Sequence, residues 1–483
     1  MLLTALLAIG FLFQGSRGVF ETTEGRYSSI ASEMIRLEDW IVPHLDEETP
    51  HFTKPPLTYW LLAVSIEFLG RSELAVRIPG AIAFVLTVLL VARAGNLIIP
   101  GYPWLAAIIY GSFLFPASVS NVVSTDNLLT FAEVAAMVCF AEHYFGTRRY
   151  ILPPAILGWA LFGLAFLTKG FPALLPIIAL ATFHYLRGRH RPDKALSIVP
   201  GLSIFAALGA SWFILVIWRE PSLLHYFVAD ELYGRIAGEH NRNPEWYKAV
   251  TVYGPVILLG TIPWTLHTAR AVGESLRKVL QDRRRDRALT PNSADVVMYF
   301  FLWLMIPALV FLTARSRLEL YLLPQFAPLA ILTALSLSAR KPRMHSLMLR
   351  AGVGFALVLA LRIAAAGITS HNDSRTVAGQ IVALPGDVPS EVIFVESAPY
   401  RGIAFYLGCE VEQTALSRES AGRLGIETVH EELHNGETDR MWLVPVPLAD
   451  KFRAVANADG VGRVRFLGEV ETDQQLVAFV LRQ

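Results

Sequence analysis

The stretch Glu21-Thr-Thr-Glu-Gly-Arg-Tyr-Ser-Ser-Ile-Ala-Ser-Glu-Met34, followed by His51-Phe-Thr-Lys-Pro-Pro56, is polar and charged in a chain that is otherwise apolar. Charge at the edge of a bilayer is costly unless it faces water, a partner or a substrate. The stretch therefore reads as a polar loop, part of a site on one membrane face. The composition supports the membrane. Of 483 residues, 53% are hydrophobic and 17% charged, and the mean hydropathy of +0.44 is too high for a water-soluble globular chain. A net charge of +1 leaves no basic excess for nucleic acid. Cys139 sits in an apolar run and Cys409 in a polar tail, so a disulfide between them is not expected.

Apolar runs recur at Met1–Phe13, Leu74–Ala94, Trp104–Ser118, Leu128–Tyr144, Ile151–Leu167, Phe171–Leu186, Leu196–Trp218, Val250–Leu266, Val296–Thr313, Leu320–Leu337 and Leu347–Ile368. They predict an all-α polytopic bundle of about 11 to 13 spans. Leu57–Leu69 is brief and carries Glu67, so it is expected to lie in the interface. The first run lacks a basic flank and a small-residue cleavage site, and is read as a membrane helix.

The basic clusters Arg148-Arg149, Arg187–Lys194, Arg277–Arg287 and Arg340–Arg343 fall between alternate spans. The positive-inside rule makes their side cytoplasmic. The outer loops 15–73 and 219–249 and the tail then share the opposite face. Residues 1–370 are expected to form the membrane domain, and residues 371–483, of ordinary polar composition, a soluble α/β domain. Within the tail, 391–395, 441–444 and 464–470 read as strands, and 400–407 and 448–455 as helices.

His430-Glu-Glu-Leu-His434 matches H-E-x-x-H, but Asn435-Gly436 follows at once and ends a helix, so the motif reads as a solvated helix end. No Walker loop and no G-x-S-x-G occurs, so a nucleotide cofactor and serine hydrolysis lack their signatures. The outer face collects Glu21, Glu24, Arg26, Tyr27, His51 and Lys54, then Asp126, then Glu239, His240 and Arg242 in the long loop, and finally Arg315 and Arg317. Carboxylates that accept a proton beside cations that steady a departing phosphate suit group transfer. Plainer roles compete: Arg26 and Tyr27 as an interfacial anchor, Lys54 as a snorkelling side chain, and Asp126 as a helix N-cap.

The runs Thr23–Tyr27, Ile30–Met34, Asp39–His44, Phe52–Pro56, Tyr59-Trp60 and Ala75–Pro79, followed by Ser124–Leu128, Leu167–Phe171, Ile262–Trp264 and Leu322–Leu329, resemble in their order the GT-C class of polytopic glycosyltransferases. The resemblance covers roughly residues 1–340. It is to the branch holding the aminoarabinose transferases of lipid A and the protein O-mannosyltransferases. It implies a bacterial inner-membrane enzyme that moves a sugar, with inversion, from a polyprenyl-phosphate donor to a lipid A, glycolipid or protein acceptor on the non-cytoplasmic face. It also implies a base among Glu24, Glu21 and Asp126. Donor-phosphate contacts would come from Lys54, Arg26, Tyr27, Arg235, Arg242, Arg315 and Arg317. A divalent cation is left open, with Glu239 and His240 as ligands. Family members carry aspartate where this chain has Thr23, which moves the expected base to Glu24, with Asp126 behind it. The aminoarabinose subgroup carries glutamate where this chain has Thr53. A flippase for a lipid-linked sugar, or a catalytically weakened carrier-binding relative, are the alternatives.

Overall fold

The computed structural model describes residues 2–99, 101–146, 151–188, 196–234, 243–281, 294–368, 370–434, 439–458 and 463–482. They form two compact units, each discontinuous in sequence. The first comprises Met1–Phe13, Thr53–Thr58 and Arg77–Ala364.

Among the described residues, six helices are long and apolar enough to cross a membrane: Glu73–Ile98, Thr125–Phe145, Ile198–Arg219, Ala294–Thr313, Glu319–Ser338 and Met344–Gly367. Lys248–Gly260 and Thr265–Gln281 make a seventh if the 111° bend between them is counted within one span. The bend falls at Ile262-Pro263, where proline offers no N–H and pushes the preceding residue out of the helical region. Several of the expected runs are shorter helices. The first is Leu2–Phe11, and the third run divides at Phe113 into Leu105–Ser112 and Leu114–Val119. The expected interfacial segment is a helix, Leu57–Leu69.

Packing in this unit relies on small residues, as lipid supplies no hydrophobic drive between helices. A Cβ on Gly209 would lie 2.8 Å from the Gly163 carbonyl oxygen and 3.1 Å from its Cα, so two backbones meet there directly. One membrane arginine is spent on structure. Arg362, 5% exposed, donates through Nη1 to the Ile9 carbonyl and at 2.8 Å to that of Leu12. Its Nη2 donates at 2.8 Å to Ala117 O and at 2.7 Å to Ser120 Oγ. The guanidinium thereby satisfies carbonyls at the end of the first helix, where intrahelical donors run out.

The second unit comprises Gln14–Phe52, Tyr59–Val76 and Ala365–Gln483. Its sheet has the order β2-β1-β3-β5-β4, with β1 Glu391–Val395, β2 Glu410–Thr414, β3 Arg440–Pro445, β4 Arg463–Glu471 and β5 Gln475–Arg482. β1 runs parallel to β2 and β3, and β5 antiparallel to β3 and β4. Every residue of β1 is buried, as expected of an inner parallel strand covered on both faces. The edge strand β2, Glu410-Val-Glu-Gln-Thr414, escaped prediction because its charge masks the alternation.

The polar stretch that reads as a loop is a helix, Thr23–Arg36, buried at Glu24, Tyr27, Ile30, Ala31, Glu33 and Met34 among others. Its apolar positions Tyr27, Ile30, Ala31 and Met34 follow helical spacing. The chain just before it pairs with the start of the tail: Glu21 N–H donates to Asn372 O at 2.9 Å and Ser374 N–H to Val19 O at 3.1 Å.

Candidate active site

In the second unit, the carboxylates expected to act as base are held by structure. Glu24 is 3% exposed. Its two oxygens accept from the Arg17 fork at 2.6 and 2.9 Å, and one also accepts from Phe20 N–H at 3.1 Å. Bidentate pairing of this kind fixes a carboxylate as an anion in one orientation. Glu21 accepts from Ser374 Oγ at 2.7 Å and Gly402 N–H at 2.6 Å. Burial pushes its pKa above the usual carboxylate value, against the lowering effect of those two bonds. The Arg26 guanidinium lies 5.7 Å from the Tyr27 ring centroid, and Tyr27 packs on Tyr59 at 5.6 Å.

A different arrangement surrounds Asp126 in the membrane unit. Ser124, and not Asp126, caps the helix Thr125–Phe145, its Oγ accepting from Asp126 N–H at 3.2 Å. The Asp126 side chain is thereby left to pair with Lys169 Nζ. Lys169 ends the helix Pro154–Lys169, where Gly170 takes φ +74°, a conformation that suits glycine. Its ammonium also lies 4.8 Å from the Tyr321 ring centroid, within cation–π range. Glu133 follows Asp126 by two helical turns, on the same face, and is 2% exposed. Asp126, Glu133, Lys169, Tyr321 and Gln325 line one small cavity of about 10 Å³, room for about one water molecule. Gln325 is 3% exposed, and its Oε1 is buried without a hydrogen-bond donor among the described residues. Charge with such company inside a membrane bundle marks function by default.

Asp126 is a candidate from the sequence, whereas Glu133, Lys169, Tyr321 and Gln325, which the fold brings beside it, are not among the sequence candidates. The signal for Glu133 was present, a carboxylate in the middle of the apolar run 128–144, whose other carboxylate, Glu142, lies near its end. Tyr321 carries no local signal and arrives through the fold, whereas Gln325 lies in the Leu322–Leu329 stretch already singled out.

The remaining candidates divide. Lys54 Nζ donates to Thr53 O at 2.8 Å and lies 4.0 Å from a Glu231 carboxylate oxygen. Arg315 is exposed. Arg317 departs from its expected phosphate contact. It is 4% exposed, and its Nη atoms donate to the backbone oxygens of Asn243, Glu245 and Leu312 at 2.9, 3.1 and 3.2 Å. It fastens one loop to another. Arg235, Glu239, His240 and Arg242 lie outside the described residues.

For a metal, the carboxylates of Glu391, Glu412 and Glu432 lie within 4.8 Å of one another. Arg440 already sits among them, its Nε 2.5 Å from Glu391 and its Nη1 2.9 Å from Glu432. The guanidinium offsets one of the three carboxylate charges and leaves the cluster acidic, a donor set that could hold a divalent ion. The H-E-x-x-H match is the five-residue helix Val429–Leu433. Glu431 is used there in a capping box with Thr428, and His434 Nδ1 lies 2.8 Å from the His430 carbonyl.

Residues 53–218 match the family described as dolichyl-phosphate-mannose-protein mannosyltransferase. A relative named undecaprenyl phosphate-alpha-4-amino-4-deoxy-L-arabinose arabinosyl transferase, from Aeromonas salmonicida, is 34% identical over 330 residues, 66% of this chain and 56% of that one. A protein of the same name from Pectobacterium carotovorum is 32% identical over 373 residues, 73% of this chain and 62% of its own length. The chain thus covers less than two thirds of either relative. Among solved structures, ArnT from Cupriavidus metallidurans bound to undecaprenyl phosphate superposes with a TM-score of 0.78 at 17% identity, over 99% of this chain and 97% of that one. The archaeal oligosaccharyltransferase AglB from Archaeoglobus fulgidus superposes with a TM-score of 0.55 at 13% identity, over 94% of this chain and 71% of that one. The chain shares the fold of these membrane transferases, and in sequence it is similar to the aminoarabinose transferases and, over residues 53–218, to the protein mannosyltransferase family.

Proposed function

We propose that this protein transfers a sugar from a polyprenyl-phosphate donor to an envelope acceptor at the non-cytoplasmic face of the bacterial inner membrane, with inversion. The observation that carries the reading is the Asp126–Lys169 pair beside a small polar cavity in a membrane bundle. The relatives' names support a donor of the undecaprenyl-phosphate aminoarabinose type, and lipid A, another glycolipid or a protein stands as acceptor.

In this reading the acceptor's hydroxyl or amine attacks the anomeric carbon on the face opposite the phosphate. The bond from that carbon to the phosphate oxygen breaks, and polyprenyl phosphate leaves with the electron pair. Asp126 accepts the acceptor's proton, and Lys169, paired with it, fixes the position of the carboxylate. Lys54 and Arg315 serve the departing phosphate, where cations offset developing charge. Glu24, Glu21 and Arg317 serve structure, and no step passes through a metal.

The test is purified protein with polyprenyl-phosphate aminoarabinose or mannose and a lipid A acceptor. Transfer that disappears in Asp126→Asn while donor binding persists is the expected result. Absence of both transfer and donor binding with every donor would overturn the reading.

A further inference from the structure

A second cavity lies in the membrane unit, far larger than the first at about 390 Å³ and apolar, lined by Val88, Leu89, Ala92, Trp104, Leu347 and Met348 among others. It is set where the helix Glu73–Ile98 finishes and where Leu105–Ser112 and Met344–Gly367 begin. Trp104 is 55% exposed and Met348 47%, so the cavity opens at the surface of the bundle. A volume of this size is in the range of small-molecule sites. Methionine side chains adapt to irregular apolar chains.

The rim of the cavity is basic. Arg340, Lys341 and Arg343 immediately precede Met344, itself a lining residue, and Lys341, Arg343 and His345 are exposed. Nearby acids are taken: Glu274 by Arg340, and Glu142 by Arg93. Among the described residues, no ion pair engages Lys341 or Arg343. Two helices also start at this rim, and their N-terminal dipole ends favour an anion. An apolar slot between membrane helices beneath free cations is complementary to a lipid with a negative headgroup.

We infer that this cavity binds an anionic glycerophospholipid, one acyl chain lying against Leu89, Ala92, Trp104 and Met348 and the phosphate held by Lys341 and Arg343. The cavity takes one acyl chain and is too small for the long chain of a polyprenyl carrier. It lies at the basic-cluster end of the helices, whereas Asp126 opens its helix at the other end. The site therefore stands or falls independently of the proposed transfer reaction.

The experiment is native mass spectrometry of the full chain released from nanodiscs of phosphatidylcholine alone or mixed with phosphatidylglycerol. The wild type should retain one phosphatidylglycerol in preference to phosphatidylcholine. Lys341→Gln with Arg343→Gln, both at exposed positions, should lower that retention by about thirtyfold, from the attraction lost at two basic side chains. Leu89→Trp, which fills the slot from a lipid-facing position, should lower it without altering charge. Equal retention of the two lipids, retention unchanged in the double variant, or retention of polyprenyl phosphate in place of phospholipid would each overturn the inference.

Discussion

Two buried ion pairs, one in each unit, look alike in a list of charges and differ in what surrounds them. Arg17–Glu24 is a fork on a carboxylate whose remaining capacity goes to the Phe20 N–H. Asp126–Lys169 is a single-point contact beside a cavity that also holds Glu133, Tyr321 and Gln325. A closed pair holds chain together, whereas an open one has acceptor capacity left for a reacting group. Buried charge by itself says little, since desolvation offsets much of the attraction. The unused capacity is the informative part.

The largest effect is expected on the open side. Asp126→Asn keeps the shape and removes the proton acceptor, so turnover should fall about 10²–10⁴-fold, with donor binding and melting temperature close to wild type. The measurement is kcat beside donor affinity on the same preparation. Lost folding in place of lost turnover would make Asp126–Lys169 a second scaffold pair and erase the contrast.

On the closed side the consequence is structural. Arg17→Met leaves Glu24 buried and uncompensated, which typically costs about 3–5 kcal/mol. A clear fall in melting temperature should follow. Glu24→Gln retains two acceptor contacts, so its loss of stability should be smaller and its turnover per folded molecule within about twofold of wild type. A loss of turnover in Glu24→Gln comparable to that of Asp126→Asn, at unchanged melting temperature, would return Glu24 to the chemistry.

How much of this was legible in the sequence follows from the same contrast. The bundle and the position of Asp126 could be read, because hydropathy and span ends are local properties. The fate of Glu24 could not. Its partner Arg17 is only seven residues away, yet the stretch reads as a loop until Tyr27, Ile30, Ala31 and Met34 are seen as one buried helical face. Arg362 is a related case. An arginine inside an apolar run signals function or structure equally, and its four acceptors come from Ile9, Leu12, Ala117 and Ser120, residues that only tertiary packing brings together. Gln325 and Tyr321 lie more than 150 positions from Lys169, and no spacing rule reaches that far.

The smallest effect separates the two kinds of pair by pH. In the second unit Arg440 faces three carboxylates, Glu391, Glu412 and Glu432, so one cation meets more negative charge than it can neutralise. Burial raises the Glu412 pKa to about 8, and Glu391, Glu432, Asp46 and Glu410 add to the rise. The folded chain thus carries a proton at Glu412 that the unfolded chain releases near 4.5. Between those values the native state binds more protons, so this group's contribution to stability falls as pH rises through the window and is at its worst above about 8. Glu412→Gln supplies the neutral form at every pH. Its melting temperature should match wild type near pH 5 and exceed it near pH 9, by a difference worth about 1 kcal/mol once the screening of a partly exposed group is allowed for. Melting curves of the two proteins across that range provide the measurement. Parallel curves would mean that Arg440 neutralises the cluster unaided, which would place it with Arg17–Glu24 among the closed pairs.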